Sequence, residues 1–223
     1  MPQAAEVQKM FCSIARRYDL LNRALSLGMD QLWRRRACDA LRPLPGEMAL
    51  DLCSGTGDMA LALGSRKVEV FASDFSHEML TLARRKGVRR PTEADCLSLP
   101  FSDRSFDIVT AAFGVRNLAD LETGLREILR VLKTGGRVGI LEFGSPPGSL
   151  FRRLYLLYLR HVVPPVGAAL SGRLAAYRYL STSIQGFPDQ KKMKAILRAT
   201  GYGDVRHLDF TGGIAALYLA RRP

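Results

Sequence analysis

The segment LDLCSGTGDMALAL, residues 50–63, constrains the fold of this 223-residue chain more than any other feature. Its apolar start predicts a buried strand that ends near Asp51, and a turn containing Gly55, Thr56 and Gly57 then leads into a helix. Glycine lets the backbone approach a ligand closely, and the first turn of a helix presents unpaired N–H groups. The unit is typical of α/β proteins that bind a nucleotide-like ligand.

Hydrophobic periodicity predicts an alternation of strands and helices after two N-terminal helices. The predicted strands are Met48–Leu52, Val68–Ala72, Phe106–Ala112, Arg137–Phe143, Val205–Phe210 and Ile214–Ala220. The predicted helices are Val7–Leu25 with a break near Asp19, Gln31–Leu41, Asp58–Leu63, Ser76–Arg85, Leu118–Leu132 and Asp189–Thr200. This alternation predicts a parallel sheet with helices on both faces.

Acidic residues at strand ends bear on which nucleotide-like ligand is bound. Asp74, about 17 residues after Gly57, can accept both hydroxyls of a ribose. The sequence GTGDMA also fits the GxGxxA pattern of dinucleotide-binding proteins, so an NAD-dependent oxidoreductase is an alternative. Asp51 would repel a pyrophosphate but can orient the amino group of a bound methionine, and Asp95 can accept from an adenine amino group. Together with the LKTGGR segment before a later strand, these features favour S-adenosylmethionine and a class I methyltransferase.

Composition restricts the partners and the compartment. The net charge of +12 favours an anionic membrane or a nucleic acid as partner, with a genomic bias toward arginine as the alternative. An RNA-modifying methyltransferase is disfavoured, because the chain has no aromatic–basic recognition motif and no NPPY-type tetrapeptide. The four isolated cysteines predict a reduced, cytoplasmic compartment and no metal site. The N-terminus lacks an apolar region, so no signal peptide is predicted.

Three segments are more specific than the nucleotide loop: VQKMFCSIARRYDLLNRALSLGMDQLWRR, AFGVRNLAD and AYRYLSTSIQGFPD. They resemble signature segments of the carbon methyltransferases of menaquinone and ubiquinone biosynthesis, the demethylmenaquinone methyltransferases and their benzoquinol relatives. The resemblance covers nearly the whole chain. It implies one Rossmann-like methyltransferase domain, residues 1–223, with a mostly parallel seven-stranded sheet, helices on both faces, an N-terminal helical cap (residues 1–44) and an insertion (residues 144–188).

The resemblance also implies which residues bind S-adenosylmethionine. It assigns contacts to Thr56, Asp74, Asp95 and Cys96, with Asp51, Gly55 and Gly57 shaping the loop. Two positions depart from the family pattern. Ala112 stands where relatives often have a serine that touches the cofactor, and Cys96 replaces a commoner alanine.

The implied reaction transfers the sulfonium methyl group to a ring carbon of a quinol that bears a polyprenyl tail. The ring carbon becomes nucleophilic when a hydroxyl is deprotonated, so the site needs a base or a group that stabilises the phenolate. We expect Arg116 to hold the phenolate by charge-assisted hydrogen bonds or to polarise a water, and Asn117 and Tyr18 to orient the quinol. A structural role, in helix capping for Arg116 or core packing for Tyr18, is the alternative. Naphthoquinol and benzoquinol enzymes share these motifs, so the sequence leaves the quinol open.

Residues 143–188 contain no Asp or Glu and include the run LFRRLYLLYLRHVV. We interpret the insertion as a lid for the tailed substrate and as a peripheral contact with anionic membrane. The residues expected to contact the membrane are the apolar set Leu154, Tyr155, Leu157, Tyr158 and Val162 and the basic set Arg152, Arg153, Arg160, Arg173 and Arg178. A homodimer interface or packing on the sheet is the alternative. The arginines and the Pro164–Pro165 pair argue against a transmembrane helix.

Overall fold

A seven-stranded sheet forms the centre of a computed structural model that describes residues 19–223. The strands are β1 (Met48–Leu52), β2 (Glu69–Asp74), β3 (Arg90–Glu93), β4 (Phe106–Ala112), β5 (Leu132–Phe143), β6 (Gly203–Phe210) and β7 (Ala215–Arg221). Their order is β3-β2-β1-β4-β5-β7-β6. Strands β1 to β5 pair in parallel, whereas β7 is antiparallel to both β5 and β6. The prediction of a mostly parallel seven-stranded sheet is confirmed.

Helices connect the strands and form a separate group before the last two. They are α1 (Met29–Leu41), α2 (Asp58–Gly64), α3 (His77–Arg85), α4 (Leu121–Val131), α5 (Ser149–His161), α6 (Val163–Ser171), α7 (Leu174–Gly186) and α8 (Gln190–Ala199). Two short 3-10 helices cover Val115–Asn117 and Thr211–Gly213. In the described range, no helix has the length and apolarity needed to cross a bilayer.

The structure corrects several predicted boundaries. Residues 19–26 are helical, and the chain turns at Leu27 and Gly28, which both have positive φ. The break predicted near Asp19 lies at the limit of the described residues. Helix α4 begins at Leu121 rather than Leu118, because the Asp120 side chain accepts the backbone N–H of Thr123 and so caps the helix there. Strand β5 begins at residue 132 rather than 137. Residues 1–18, which include Tyr18 and most of the first predicted helix, lie outside the described range.

The sequence analysis did not predict two features. Strand β3 has the sequence RPTE and is half-buried to exposed, so no apolar alternation marks it, and Thr92 is its only β-branched residue. The insertion, residues 144–188, contains the three helices α5, α6 and α7.

Apolar side chains cover both faces of the sheet. On one face α4 and α8 pack through residues such as Leu125, Ile128, Met193 and Leu197. On the other face α1 and α2 pack through residues such as Trp33, Leu41, Met59 and Leu63. Each of these four helices therefore buries one apolar side on the sheet, as the helical spacing of its apolar residues predicts.

The chain reverses direction across the sheet between β1 and β4. From β1 it runs outward through β2 to β3, and it then returns to β4 on the other side of β1. The carboxyl ends of β1 and β4 leave a crevice at this point, which is where α/β sheets bind their ligands. The turns that follow β1 and β4 are in close contact at this point. A Cβ atom on Gly114, after β4, would lie 2.2 Å from the Cβ atom of Cys53, after β1.

Helices α5 to α7 have a small core of their own. Leu21, from the helical residues 19–26, packs there with Tyr155, Leu159 and Tyr177. Gly167 of α6 lies against the ring of Tyr177, and a Cβ atom at this position would lie 2.2 Å from the ring carbon Cγ. This contact sets the distance between α6 and α7.

We predict that Gly167→Ala lowers the free energy of unfolding by about 1–3 kcal/mol, since the added methyl group overpacks a buried ring contact. Gly186→Ala is the matched control, because no atom lies within 4 Å of a Cβ atom built there. Urea denaturation measures both. Equal stability of the two variants would contradict the packing assigned to Gly167.

Candidate active site

The turn after β1 has a backbone that suits glycine. Gly55 and Gly57 have φ angles of 55° and 85°, and Cys53 before them has a φ of 49°. A Cβ atom on Gly57 would lie 2.5 Å from Cγ2 of Val88. A larger residue at Gly57 would therefore meet both a strained backbone and a steric clash. The turn packs tightly against Ala83 of α3 and against Val88, and it leads directly into α2.

Asp51, at the end of β1, connects this turn to β4 by hydrogen bonds. Its side chain is fully buried, with Oδ2 accepting from the Ser54 hydroxyl at 2.7 Å and Oδ1 accepting from the Thr110 hydroxyl at 2.7 Å. Burial raises the pKa of Asp51 to about 6, and the two hydroxyl donors oppose this rise. Both carboxylate oxygens are engaged inside the protein, an arrangement that shapes the loop.

Asp74 at the end of β2 lies beside the same turn. Its Oδ2 accepts the backbone N–H of Gly55 at 2.8 Å, and its Oδ1 accepts that of Ser76 at 2.9 Å. The residue is 5% exposed, and burial raises its pKa. A carboxylate held in this way against the glycine turn has lone pairs left for ribose hydroxyls.

The structure separates the roles of the neighbouring residues Asp95 and Cys96. Asp95 is exposed, and its Oδ1 accepts the N–H of Leu97 at 2.9 Å within its own loop. Cys96 is buried with its Sγ atom 3.6 Å from the Sγ atom of Cys53, so it lies against the glycine turn.

Thr56 is covered by a network that the sequence analysis missed. Its hydroxyl donates to Oδ1 of Asp19 at 2.5 Å and accepts from Nζ of Lys86 at 3.1 Å. Lys86 also pairs with Oδ2 of Asp19 at 2.9 Å and with Asp58. The helical residues 19–26 are thereby tied to the turn. Asp19 belongs to the YDLLN motif, but no local pattern pairs it with Thr56.

A cavity of about 440 Å³ lies between the sheet and helices α5 to α7. Its walls come from the helical residues 19–26, α1, the turn after β4, the end of β5, helices α5 to α7 and the segment between β6 and β7. Most lining residues are apolar or aromatic, and Trp33, the only tryptophan of the chain, is among them. The indole packs on Phe113 and Phe143 and donates to the Thr211 hydroxyl at 2.9 Å. Charged groups enter the wall at Asp30, Arg34 and Arg116.

Arg116 is held by an acid that the sequence analysis did not single out. Its Nη1 donates to Oε1 of Glu142 at 2.7 Å and to the carbonyl oxygen of Phe113. The side chains of Arg116 and Glu142 are only 3% and 0% exposed. Burial raises the pKa of Glu142 to about 6, although the Arg116 charge opposes this rise. The ion pair fixes the guanidinium at the cavity wall.

Tyrosines surround Arg116. The Tyr179 hydroxyl donates to Oδ1 of Asn117 at 3.0 Å, which gives Asn117 a fixed orientation. Tyr155 lines the cavity, and its buried hydroxyl has no hydrogen-bond partner within residues 19–223. Tyr18, the third predicted substrate-orienting residue, lies outside the described residues.

These groups fit an adenosine ligand that carries an amino-acid part. The glycine turn and Asp74 form one wall, and a cavity with basic side chains continues from the crevice between β1 and β4. The sheet order and the site together define a class I S-adenosylmethionine-dependent methyltransferase.

Solved structures support this class. The fold matches an S-adenosylmethionine-dependent methyltransferase of Thermotoga maritima, described as a possible histamine N-methyltransferase, with a TM-score of 0.71 and 18% identity over 97% of this chain and 100% of that chain. It also matches phosphoethanolamine N-methyltransferase 2 of Haemonchus contortus, with a TM-score of 0.63 and 17% identity over 85% of this chain and 52% of that chain. At this identity the likeness concerns the fold alone.

The chain belongs to the ubiE/COQ5 methyltransferase family, whose sequence profile matches residues 2–222. A demethylmenaquinone methyltransferase of Thermus thermophilus is 47% identical over 96% of this chain and all of the relative. One of Deinococcus radiodurans is 48% identical over 96% of this chain and 91% of the relative. The ubiquinone/menaquinone biosynthesis C-methyltransferase UbiE of Geotalea uraniireducens is 42% identical over 97% and 96%. The predicted family, fold and S-adenosylmethionine-dependent methyltransferase activity are confirmed.

The buried carboxyl of Asp51 predicts a pH-dependent stability. Its pKa in the folded protein, about 6, exceeds the ordinary value of 3.8, so the folded state binds this proton more tightly than the unfolded chain does. The resulting stabilisation is fully present below about pH 4 and is lost as the pH rises to about 6. Relative to Asp51→Asn, which does not titrate, we expect the wild-type free energy of unfolding to fall by up to about 3 kcal/mol between pH 4 and 7.

Urea denaturation at unit pH steps, followed by Trp33 fluorescence, measures this difference. All other titrating groups are common to the two proteins and cancel in the comparison. A difference that stays constant with pH, or that increases, would contradict the raised pKa of Asp51.

Proposed function

We propose that the protein transfers a methyl group from S-adenosylmethionine to a ring carbon of a polyprenylated quinol, naphthoquinol or benzoquinol, in menaquinone or ubiquinone biosynthesis. The names of the relatives at 42–48% identity support this substrate class. In this proposal residues 1–223 form one methyltransferase domain, and the cap (residues 1–44) and the insertion (residues 144–188) add the substrate cavity.

The cavity is the observation that carries the proposal. An aromatic ring with an isoprenoid tail needs a large apolar enclosure, and its hydroxyl groups need polar partners at one end. A volume of about 440 Å³, aromatic walls and the buried Arg116–Glu142 pair provide these features.

The reaction requires an electron-rich ring carbon. When bound, S-adenosylmethionine supplies an electrophilic methyl group on its sulfonium. Arg116 stabilises the phenolate that forms at the neighbouring ring oxygen, because its charge acts in an apolar cavity from which water is largely excluded. Asn117, oriented by Tyr179, and Tyr18 position the ring.

The cofactor residues proposed from the sequence keep their assignments. Thr56, Asp74, Asp95 and Cys96 contact the cofactor, and Asp51, Gly55 and Gly57 shape the turn that receives it. The hydrogen bonds of Asp74 to the glycine turn support its role as the ribose acceptor. The Thr56 hydroxyl is engaged by Asp19, so its contact to the cofactor uses the backbone.

Methylation of chemically reduced quinols tests the function. We expect the purified protein to convert demethylmenaquinol or a demethylated benzoquinol with a short prenyl tail, with the new methyl group on a ring carbon by mass spectrometry and NMR. Incorporation into tRNA, or binding of NADH in place of S-adenosylhomocysteine, would instead support one of the two alternative functions.

We predict that Arg116→Ala reduces quinol turnover by a factor of about 10²–10³, the usual cost of losing a preorganised charge-stabilising group. Arg116→Lys keeps the ion pair with Glu142 but lacks the planar fork, so we expect only partial recovery. Affinity for S-adenosylhomocysteine should stay within about threefold in both variants. The exposed residue Arg126 on α4 supplies the control, Arg126→Ala. Turnover of Arg116→Ala within a few fold of wild type would remove Arg116 from the mechanism.

We further propose that the protein collects its substrate from the cytoplasmic face of an anionic membrane. Leu27, Phe151 and Leu154 line the cavity and are 90%, 43% and 55% exposed, so the cavity opens through an apolar rim. Leu157 and Val162 are also exposed. The arginines predicted for this contact, Arg152, Arg153, Arg160, Arg173 and Arg178, are all exposed.

Two predicted members of the membrane face are corrected. Tyr155 is buried in the core of helices α5 to α7, and Tyr158 is half-buried with its hydroxyl donating to the carbonyl oxygen of Leu25 at 2.7 Å. A helix brings residues three or four apart onto one side, so Tyr155 and Leu159 point inward while Leu154 and Leu157 remain outside.

We predict that the protein floats with anionic liposomes at low salt and less so with neutral liposomes or at high salt. Replacing Arg152 and Arg153 by Gln should weaken flotation, since each basic residue near the surface contributes about 1 kcal/mol. Replacing Arg35 and Arg36 by Gln is the control, because both are exposed on α1 away from the rim. No binding at low salt would contradict the proposal, and a stable dimer in light scattering would assign the exposed face to a homodimer instead.

A further inference from the structure

Arg34 is a buried charge that the reaction described above does not use. It lies on α1 with its side chain 7% exposed, and it lines the cavity. Its Cζ atom lies 5.1 Å from the ring centroid of Phe113, the residue that follows β4. Arg34 therefore borders the crevice between β1 and β4 from the side of the N-terminal helices.

The guanidinium of Arg34 is only partly satisfied. Within the described part of the chain its hydrogen bonds come from Nη1, which donates to Oδ2 of Asp30 at 2.7 Å and to the carbonyl oxygen of Asp30 at 3.3 Å. The Nε atom is buried and has no partner within residues 19–223. Buried N–H groups nearly always have a partner, and the edge formed by Nε and Nη2 is one with which arginine binds a carboxylate through two parallel bonds.

A chain of hydrogen bonds connects Arg34 to the glycine turn. Oδ2 of Asp30 also accepts from Nε2 of Gln31 at 3.3 Å, and the same Nε2 donates to Oδ2 of Asp58 at 2.9 Å. Asp58 is the first residue of α2, directly after Gly57. The positive charge of Arg34 opposes the rise that burial causes in the pKa of Asp51, and together with Lys86 it lowers the pKa of Asp58, consistent with its place beside the turn.

Other charged groups near the crevice are already paired. Arg116 is bound to Glu142, and Lys86 is bound to Asp19 and Asp58. Asp51 has both oxygens on hydroxyl donors, and Arg35 and Arg36 are exposed. Arg116 also has a buried Nε without a partner within residues 19–223, but it is the group proposed for the substrate. Arg34 is the buried guanidinium beside the turn whose free edge has no role in the proposed reaction.

We propose that Arg34 binds the α-carboxylate of the amino-acid part of S-adenosylmethionine through its Nε–Nη2 edge, with Asp30 holding the guanidinium in place. The negative charge of the Asp30 carboxylate lies beside this guanidinium and would attract the ammonium group of the same amino-acid part. The proposal rests on the cofactor and is independent of which quinol is methylated.

Calorimetric titration with two ligands tests this assignment. S-adenosylhomocysteine carries the amino-acid part, whereas 5′-methylthioadenosine has the same adenosine and thioether without it. We expect Arg34→Met to lose about 30–100-fold in affinity for S-adenosylhomocysteine and less than threefold for 5′-methylthioadenosine. Arg34→Lys should recover part of the loss, and the control Arg36→Met should bind both ligands as the wild type does.

If Arg34→Met does not fold, the proposal can still be tested on the wild-type protein by changing the ligand instead of the residue. The decarboxylated analogue of S-adenosylhomocysteine keeps the ammonium group and lacks only the carboxylate, so we expect it to bind about 30–100-fold more weakly. Equal affinity of the wild type for the analogue and for S-adenosylhomocysteine would overturn the proposal, as would equal losses for both ligands in Arg34→Met. Absence of S-adenosylhomocysteine binding to the wild type would instead contradict the cofactor itself.

Discussion

The buried carboxylate of Asp51 joins the end of β1, the glycine turn and β4 at one point. A buried carboxylate is costly unless its oxygens accept hydrogen bonds, and here the hydroxyls of Ser54 and Thr110 provide them. The turn held in this way brings the Gly55 amide to Asp74 and starts α2 against Val88. The crevice and the direction of α2 both follow from this junction.

Two buried arginines place positive charges in the wall of the otherwise apolar cavity. Arg34 and Arg116 each use Nη1 to pair with an acid, Asp30 and Glu142. Burying such a pair gains little stability by itself, because desolvation offsets most of the attraction. What the pairs provide is orientation, since each guanidinium is fixed with part of its donor set unused. In the proposed roles, Arg34 serves the amino-acid end of the cofactor, and Arg116 serves the ring oxygen of the substrate.

Local chemistry explains what could be predicted. The glycine turn needs positive φ angles, Asp74 ends a strand, and Ser76 and Asp189 cap the helices predicted to start there, and all of these depend on residues close in the sequence. Hydrophobic periodicity likewise gave most strands and helices within a few residues. The insertion was recognised by its composition, but its division into three helices and the burial of Tyr155 required the packed structure.

The sequence by itself determined most of the order of elements and the nucleotide turn, because backbone preference and periodicity are properties of short segments. It determined the family through a resemblance that covers nearly the whole chain. Only the tertiary structure decided which side chains meet. Glu142 pairs with Arg116 across 26 residues, and Lys86 pairs with Asp19 across 67. These partners are chosen by how strands and helices pack. No short pattern encodes a distance between segments that are far apart along the chain, so these long-range charged pairs became visible only in the folded protein.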